Sequence, residues 1–228
     1  MNRTLNQGMM SYYDTRAPEY DEIYMGKGPA SIPDPDLYRK ETEIIAKIVQ
    51  GYGQGHLIDI GCGTGYWLSH YGNNLLRITL LDHSGKMLSQ CKKRVTSLRL
   101  RDRCHFIQGD FFEVILDENS FHSALIGFFI SHLSPNLERI FFSKLKRILK
   151  DNAQLMIIDS AWSSQRMRTR KKNGMQKRTL NDGREYTLYK RYFDKPDIER
   201  MFKRYHLRLK SCWIGDAFLT AQGQIDTP

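Results

Sequence analysis

No uncharged apolar run in the 228-residue chain approaches the length of a membrane span, and the first eight residues, MNRTLNQG, hold no apolar stretch of the signal-peptide kind. Neither membrane insertion nor export is expected; a cytoplasmic protein is. Cysteine is scarce: Cys62, Cys91, Cys104 and Cys212 are the four present, and none has metal-site spacing to another. That excludes a zinc ribbon and a disulfide scaffold, and predicts free thiols in a reducing compartment. The chain holds no internal repeat and no low-complexity tract, so its length suits one α/β domain with an attached segment. Acid is under-represented, 25 Asp and Glu against 35 Lys and Arg, for a formal charge of +10. Such a balance points to nucleic acid or an anionic surface only where the charge is clustered. One cluster, Lys92-Lys93-Arg94 through Arg103, reads as the solvated face and exit of a helix. The other, Arg166 to Arg178, has neither acid nor apolar stripe, and reads as a mobile exposed loop within a basic insertion at about 161–193.

What is present centres on Leu57-Ile58-Asp59-Ile60-Gly61-Cys62-Gly63-Thr64-Gly65. The apolar run predicts a buried strand, and three glycines at alternate positions predict a tight turn against which a ligand can lie. A helix is expected directly afterwards, Thr64–Tyr71, with its first N–H groups facing a polar or anionic group. A second strand, about Leu76–Asp82, completes a right-handed parallel βαβ unit. Asp82 lies 21 residues past Gly61, where a nucleotide fold places a carboxylate for ribose hydroxyls. Capping of the helix near Ser84 is the other reading of that acid.

The remaining elements follow from periodicity. Tyrosines crowd Tyr12–Tyr24, and three prolines at 29–35 predict a boundary, giving an N-terminal segment 1–35 and a core 36–228. Helices are predicted at Asp36–Tyr52, Ser84–Leu100 (Met87 inward), Asn136–Leu149 and from Asp194 or Pro196 to Arg204. Strands are predicted at Cys104–Gln108, ahead of Gly109-Asp110-Phe111, and at Phe121–Ile130, whose apolar character makes it central. Further strands are Gln154–Ser160, an added one at Glu185–Phe193 after a turn at Thr179–Arg184, Leu207–Ile214 and Ala217–Gln224. His132 follows the central strand, where a pKa near roughly 6.5 suits a general base; a loop or helix-cap hydrogen bond is the alternative.

The glycine segment resembles motif I of the class I S-adenosylmethionine-dependent methyltransferases. The dinucleotide spacing Gly-x-Gly-x-x-Gly is not met, because Tyr66 stands where its third glycine would be, so a nicotinamide enzyme is the weaker reading. The resemblance implies a Rossmann-like α/β fold with a seven-stranded sheet of order 3-2-1-4-5-7-6, the last strand antiparallel and helices on both faces. It implies S-adenosylmethionine, leaving as S-adenosylhomocysteine, over strands one, two and four. Gly61, Cys62, Gly63 and Gly65 would run beneath its methionine part and Asp59 would orient its amino group. Asp82 would hold the ribose, and His83 and Met87 are further cofactor-binding candidates. Asp110 with Phe111 would hold the adenine, and Gly109, Gly127 and Phe128 are further cofactor-binding candidates. Tyr13, Arg16 and Tyr20 would fold over the cofactor as a lid; a helix packed on the surface is the alternative. Catalytic candidates are His132 and Tyr20. No metal is implied. Asp151-Asn152-Ala153 stands where the family often has Pro-Gly-Gly. An Asn-Pro-Pro-Tyr motif is absent from the fourth strand's exit, which argues against base or glutamine methylation. The aromatic surroundings favour a small organic acceptor methylated on O, N or C, by a monomer or homodimer. Rival readings are an RNA or protein methyltransferase gripping its substrate with 166–178, and a non-catalytic nucleoside-binding protein.

Overall fold

Leu57–Ile60, apolar but for Asp59, becomes the core of β1 (His56–Ile60) at the centre of a seven-stranded sheet. The computed structural model describes residues 3–27, 32 and 34–225, with side chains from residue 8 onward. Most of the expected boundary at 29–35 lies outside the described residues. β1 pairs in parallel with β2 (Arg77–Asp82) on one side and β4 (Phe121–Gly127) on the other. β3 (Cys104–Gln108) extends the sheet beyond β2, and β5 (Leu149–Ser160) beyond β4. β9 (Phe218–Ile225) runs antiparallel between β5 and β8 (Leu207–Ile214). In sheet-strand numbering this is the expected order 3-2-1-4-5-7-6 with the last strand antiparallel.

Both faces of the sheet are covered, as near-continuous apolar parallel strands require. On one face α5 (Pro135–Ile148) inserts Phe141, Phe142, Leu145 and Ile148, joined by Ile198 and Phe202 of α7 (Lys195–Arg204). The other face carries α2 (Pro35–Val49), the single turn α3 (Leu68–Tyr71) and α4 (Gly85–Ser97). The tyrosine-rich start forms α1 (Arg3–Arg16) and a 3-10 turn, Tyr20–Met25. No helix among the described residues is long and apolar enough to cross a membrane, and no group of three His, Cys, Asp or Glu among them suits a metal.

Three expectations need correction. The helix after the glycines starts at Leu68 rather than Thr64, because the glycine turn is followed by a further turn before the chain can helicate. β4 stops at Gly127: Phe128 adopts φ +53°, a region costly for a side chain of this size, and turns the chain into a short 3-10 segment, Ile130–His132. The basic stretch is no exposed loop. It forms α6 (Ser164–Met167) and β6 (Asn173–Thr179), which pairs antiparallel with β7 (Glu185–Arg191) as a separate hairpin. Arg166 and Arg178 are buried, 2% and 4% exposed.

Buried Glu41 of α2 accepts from the backbone N–H groups of Asp216 (2.6 Å), Ala217 (3.1 Å) and Phe218 (2.9 Å), fixing α2 to the β8–β9 turn. Glu41→Ala leaves these donors without their carboxylate. At about 1–3 kcal/mol per unsatisfied group, a loss of about 3 kcal/mol or more is expected, with Tm lower by roughly 6–12 °C. Calorimetry of Glu41→Ala and Glu41→Gln checks this; a drop below about 2 °C in the alanine variant refutes it.

Candidate functional site

The carboxyl ends of β1, β2 and β4 meet at the glycine turn. Gly61, Gly63 and Gly65 have φ of +70°, +55° and +71°, the left-handed region that glycine alone enters freely. The N–H groups of Gly61 and Cys62 both donate to the Leu81 carbonyl, at 2.8 and 3.0 Å, which clamps the turn to β2. Asp82 completes the clamp: its Oδ2 accepts from the Gly63 N–H and its Oδ1 from the Ser84 N–H, each at 2.8 Å. Burial pushes this carboxyl up, against the opposing pull of His83 and the two N–H donors. The hydroxyl of Ser84 caps α4 at Met87 N–H, so the cap does not fall to Asp82.

A cavity of about 740 Å³, partly open to solvent, lies over this turn. Of the expected cofactor residues, Gly61, Gly63, Asp82, His83, Met87, Gly109, Asp110, Phe111, Gly127 and Phe128 line it, together with Tyr13 and Tyr20 of the N-terminal segment. Asp110 Oδ1 accepts from the Phe112 N–H at 2.9 Å. Phe111 points mainly into the core, with its ring 4.9 Å from that of Phe141. A smaller cavity beneath shares Gly61, Gly63, Tyr20 and Phe128, and adds Asp59 and Cys62. Asp59 Oδ2 accepts from the Tyr71 hydroxyl at 2.6 Å, whereas its Oδ1 is buried without a hydrogen-bond partner among the described residues. Burial pushes this carboxyl up to about 7.

Two expected cofactor residues are placed elsewhere. Gly65 packs inward, where a Cβ would come within 2.6 Å of Leu68 and 2.7 Å of Cys91; its role is close packing under the turn. Arg16 lines a second cavity of about 570 Å³, on the far side of Tyr13. That cavity shares Tyr13, Tyr20, Phe128 and His132 with the first, so these four side chains stand between the two.

His132 has both ring nitrogens engaged. Nδ1 lies 2.9 Å from the Tyr189 carbonyl, which only accepts, so Nδ1 carries the proton and donates. Nε2 is then the acceptor for the Tyr13 hydroxyl at 2.8 Å. Burial, and then the charges of Lys190, Arg178 and Arg16, hold His132 well below its ordinary pKa, against the contrary effect of the Tyr189 bond. The N-terminal segment is tied down at two points. Asp14 accepts from the Ser84 hydroxyl at 2.5 Å, and Asp21 bridges the Thr64 hydroxyl (2.5 Å) and Arg94 (2.6 Å).

Met9, Leu81, Phe112, Phe129 and Leu133 also line the first cavity and were not anticipated. Phe112 and Phe129 had a signal in the sequence, each being adjacent to an expected site aromatic. Met9 and Leu133 had none, because their place depends on how α1 and the 3-10 segment close over the sheet. The second cavity's Arg166 and Arg178 were misread because a run of cations reads as solvated surface, while Lys190 lies on the expected added strand.

A 3-2-1-4-5-7-6 sheet with a Gly-x-Gly-x-Gly turn and a carboxylate ending the second strand is the arrangement of the class I S-adenosylmethionine-dependent methyltransferases, and the comparisons with known proteins support that class for this chain. Residues 57–152 match the methyltransferase domain family. The demethylmenaquinone methyltransferase of Lactiplantibacillus plantarum is 26% identical over 167 residues, covering 72% of this chain and 67% of that protein. The match spans 63–67% of the length of the first such relatives. Among solved structures, the DhpI–SAH complex superposes with a TM-score of 0.75 at 19% identity, covering 100% of both chains. The Burkholderia thailandensis 1,6-didemethyltoxoflavin-N1-methyltransferase, with bound 1,6-didemethyltoxoflavin and S-adenosylhomocysteine, gives 0.63 at 12% identity, covering 100% of this chain and 91% of that one. At these identities the structures speak to the fold.

Proposed function

We propose that the chain transfers a methyl group from S-adenosylmethionine, bound in the first cavity, to a small organic acceptor reached through the second. The observation that carries this reading is the buried, unpartnered Oδ1 of Asp59 beneath the glycine turn. A carboxylate oxygen there suits an ammonium, and the flat glycine surface leaves room for the chain that bears it. Asp82 has lone pairs left for ribose hydroxyls after accepting one N–H on each oxygen. Asp110, Phe112 and Phe129 offer a polar edge and flat apolar walls to a purine. S-adenosylmethionine supplies a methyl already activated on sulfur, so the chain's task is to hold the acceptor in line with it.

Tyr13, Tyr20, Phe128 and His132 form the partition at which donor and acceptor meet. His132 is neutral with Nε2 as the acceptor, the form that takes a proton from a hydroxyl or amine as the new bond forms. Loss of the sulfonium charge on methyl transfer would offset the imidazolium charge that His132 gains. The relatives named as quinone methyltransferases, and the toxoflavin enzyme of similar fold, support a small organic acceptor. Arg166 and Arg178 face the second cavity rather than solvent, whereas Arg168, Lys171 and Lys177 of the same stretch are exposed; the buried pair favours a small-molecule site over an RNA or protein grip. We place the enzyme in the cytoplasm, where its four free thiols stay reduced.

The test is calorimetric titration with S-adenosylhomocysteine and, separately, NAD. The nucleoside is expected to bind and NAD to fail; the reverse sinks the proposal. Because Asp59 titrates near 7 before binding and must be ionised to hold an ammonium, a proton is released on binding at lower pH. Affinity should therefore fall as pH drops below about 7, approaching tenfold per pH unit, and Asp59→Asn should weaken binding and flatten the dependence. A pH-independent affinity between about 5 and 7 would remove Asp59 from the site.

A further inference from the structure

The second cavity is walled by cations. Arg16, Arg166, Arg178 and Lys190 line it, all buried (6, 2, 4 and 6% exposed), and exposed Lys27 stands at its edge. Buried Arg and Lys are ordinarily paired with carboxylates. Lys190 has such a partner, with Nζ 3.3 Å from Asp159 and 2.6 Å from the Ser131 hydroxyl. Arg16 and Arg178 have no carboxylate within ion-pair distance among the described residues. The Nη1 of Arg16 donates to the Tyr12 hydroxyl at 2.6 Å, while its Nε is buried without a partner. Arg178 donates to neutral acceptors: the Lys177 carbonyl (3.1 Å), the Gln176 side-chain oxygen (3.0 Å) and the Tyr192 hydroxyl (3.1 Å). The resulting field is visible at Tyr192. Burial alone would push that phenol up, yet its pKa is lowered, because Arg178, Arg166 and Lys190 surround it.

We propose that the second cavity is the acceptor site, and that the acceptor is a small molecule bearing a carboxylate or phosphate-type oxyanion held by the guanidinium groups of Arg16 and Arg178. This rests on the first cavity being the cofactor site. A guanidinium fork matches the paired oxygens of either anion, and the unpartnered Nε of Arg16 gains the acceptor it lacks. The two cavities also sort charge. A cationic donor is repelled by the arginine wall and drawn to Asp59 and Asp82, while an anionic acceptor is drawn across the partition to the other side. An oxyanion held there stands beside His132 and Tyr13, at the place where the methyl must arrive.

The test uses the full chain saturated with S-adenosylhomocysteine at constant ionic strength. Acetate, methylphosphonate and inorganic phosphate are titrated by calorimetry, with acetamide as the uncharged counterpart of acetate. At least one oxyanion is expected to bind about tenfold or more tightly than acetamide, and the order among the three distinguishes carboxylate from phosphate-type ligands. Arg16→Gln and Arg178→Gln should each weaken that binding by about tenfold while leaving nucleoside affinity within about twofold. Oxyanions that bind no better than acetamide to the wild type overturn the proposal without any variant having to fold. Equal anion binding by wild type and both variants overturns it as well. If the nucleoside itself fails to bind, the cofactor reading falls first and the acceptor assignment falls with it; if it binds and the anions do not, only the acceptor assignment falls.

Discussion

Asp82→Ala is expected to abolish cofactor binding. In the wild type, a nucleoside at a hundred times its Kd should add about 2.7 kcal/mol of stability, a Tm rise of roughly 5–11 °C for this size. The alanine variant should show no rise at the same concentration. The argument is local and double. On the proposed reading Asp82 offers its carboxylate to the ribose, and it also fixes the Gly63 and Ser84 N–H groups that shape the turn beneath the cavity. Truncation removes the first and leaves two donors unsatisfied, each costing about 1–3 kcal/mol, so the site loses both a contact and its form. Asp82→Asn separates the two effects, since one amide oxygen still accepts an N–H while the charge is gone. It should keep more of the apo Tm than alanine does and still bind the nucleoside weakly. Full ligand-induced stabilisation in Asp82→Ala would reduce Asp82 to a part of the turn.

His132→Ala is expected to lower kcat by about 10²–10⁴, the range of a positioned general base, with whichever hydroxyl or amine acceptor a metabolite panel identifies. Nucleoside affinity should change little, because His132 sits at the partition between the cavities. A pH profile distinguishes chemistry from architecture. His132 is held neutral well below its ordinary pKa by burial and by Lys190, Arg178 and Arg16. With cofactor saturating, the wild-type rate should therefore stay level through pH 6.5, where a solvated histidine would take up its proton, and fall only in more acid solution. Tyr13→Phe removes the hydroxyl that Nε2 accepts and should leave that profile in place. A His132→Ala rate within tenfold of wild type would make the histidine a brace for Tyr189 and the hairpin.

The sheet was legible because its strands are buried on both faces and so read as apolar runs, with turn residues between them. The glycine turn and Asp82 were legible for a related reason: alternate glycines and a carboxylate one strand later are backbone and hydrogen-bond requirements, written locally. The β6–β7 hairpin was legible only in part. β7 alternates visibly, but the buried side chains of β6 are the polar Gln176 and Arg178, the latter lining the second cavity, so no apolar period marks the strand. Glu41 looked like any acid on an amphipathic helix, since its three donors lie at Asp216, Ala217 and Phe218, far along the chain. Arg16 was expected at the cofactor and lies on the acceptor side. Its neighbours along the chain could not say on which flank of Tyr13 the helix would turn it. Phe128's left-handed backbone has no signature at all in a phenylalanine.

The ties from Asp14 to Ser84 and from Asp21 to Thr64 and Arg94 bear on nucleoside exchange. Both anchor points flank the glycine turn, so the N-terminal segment closes the first cavity with the same residues that shape its floor. With these bonds in place the first cavity keeps only a partial opening to solvent, so the docked segment narrows the route by which a nucleoside enters or leaves. Loosening of this segment is expected to speed nucleoside exchange, which stopped-flow release of S-adenosylhomocysteine from the wild type and Asp21→Asn would measure. The two short carboxylates thus hold the N-terminal segment against the turn like a latch.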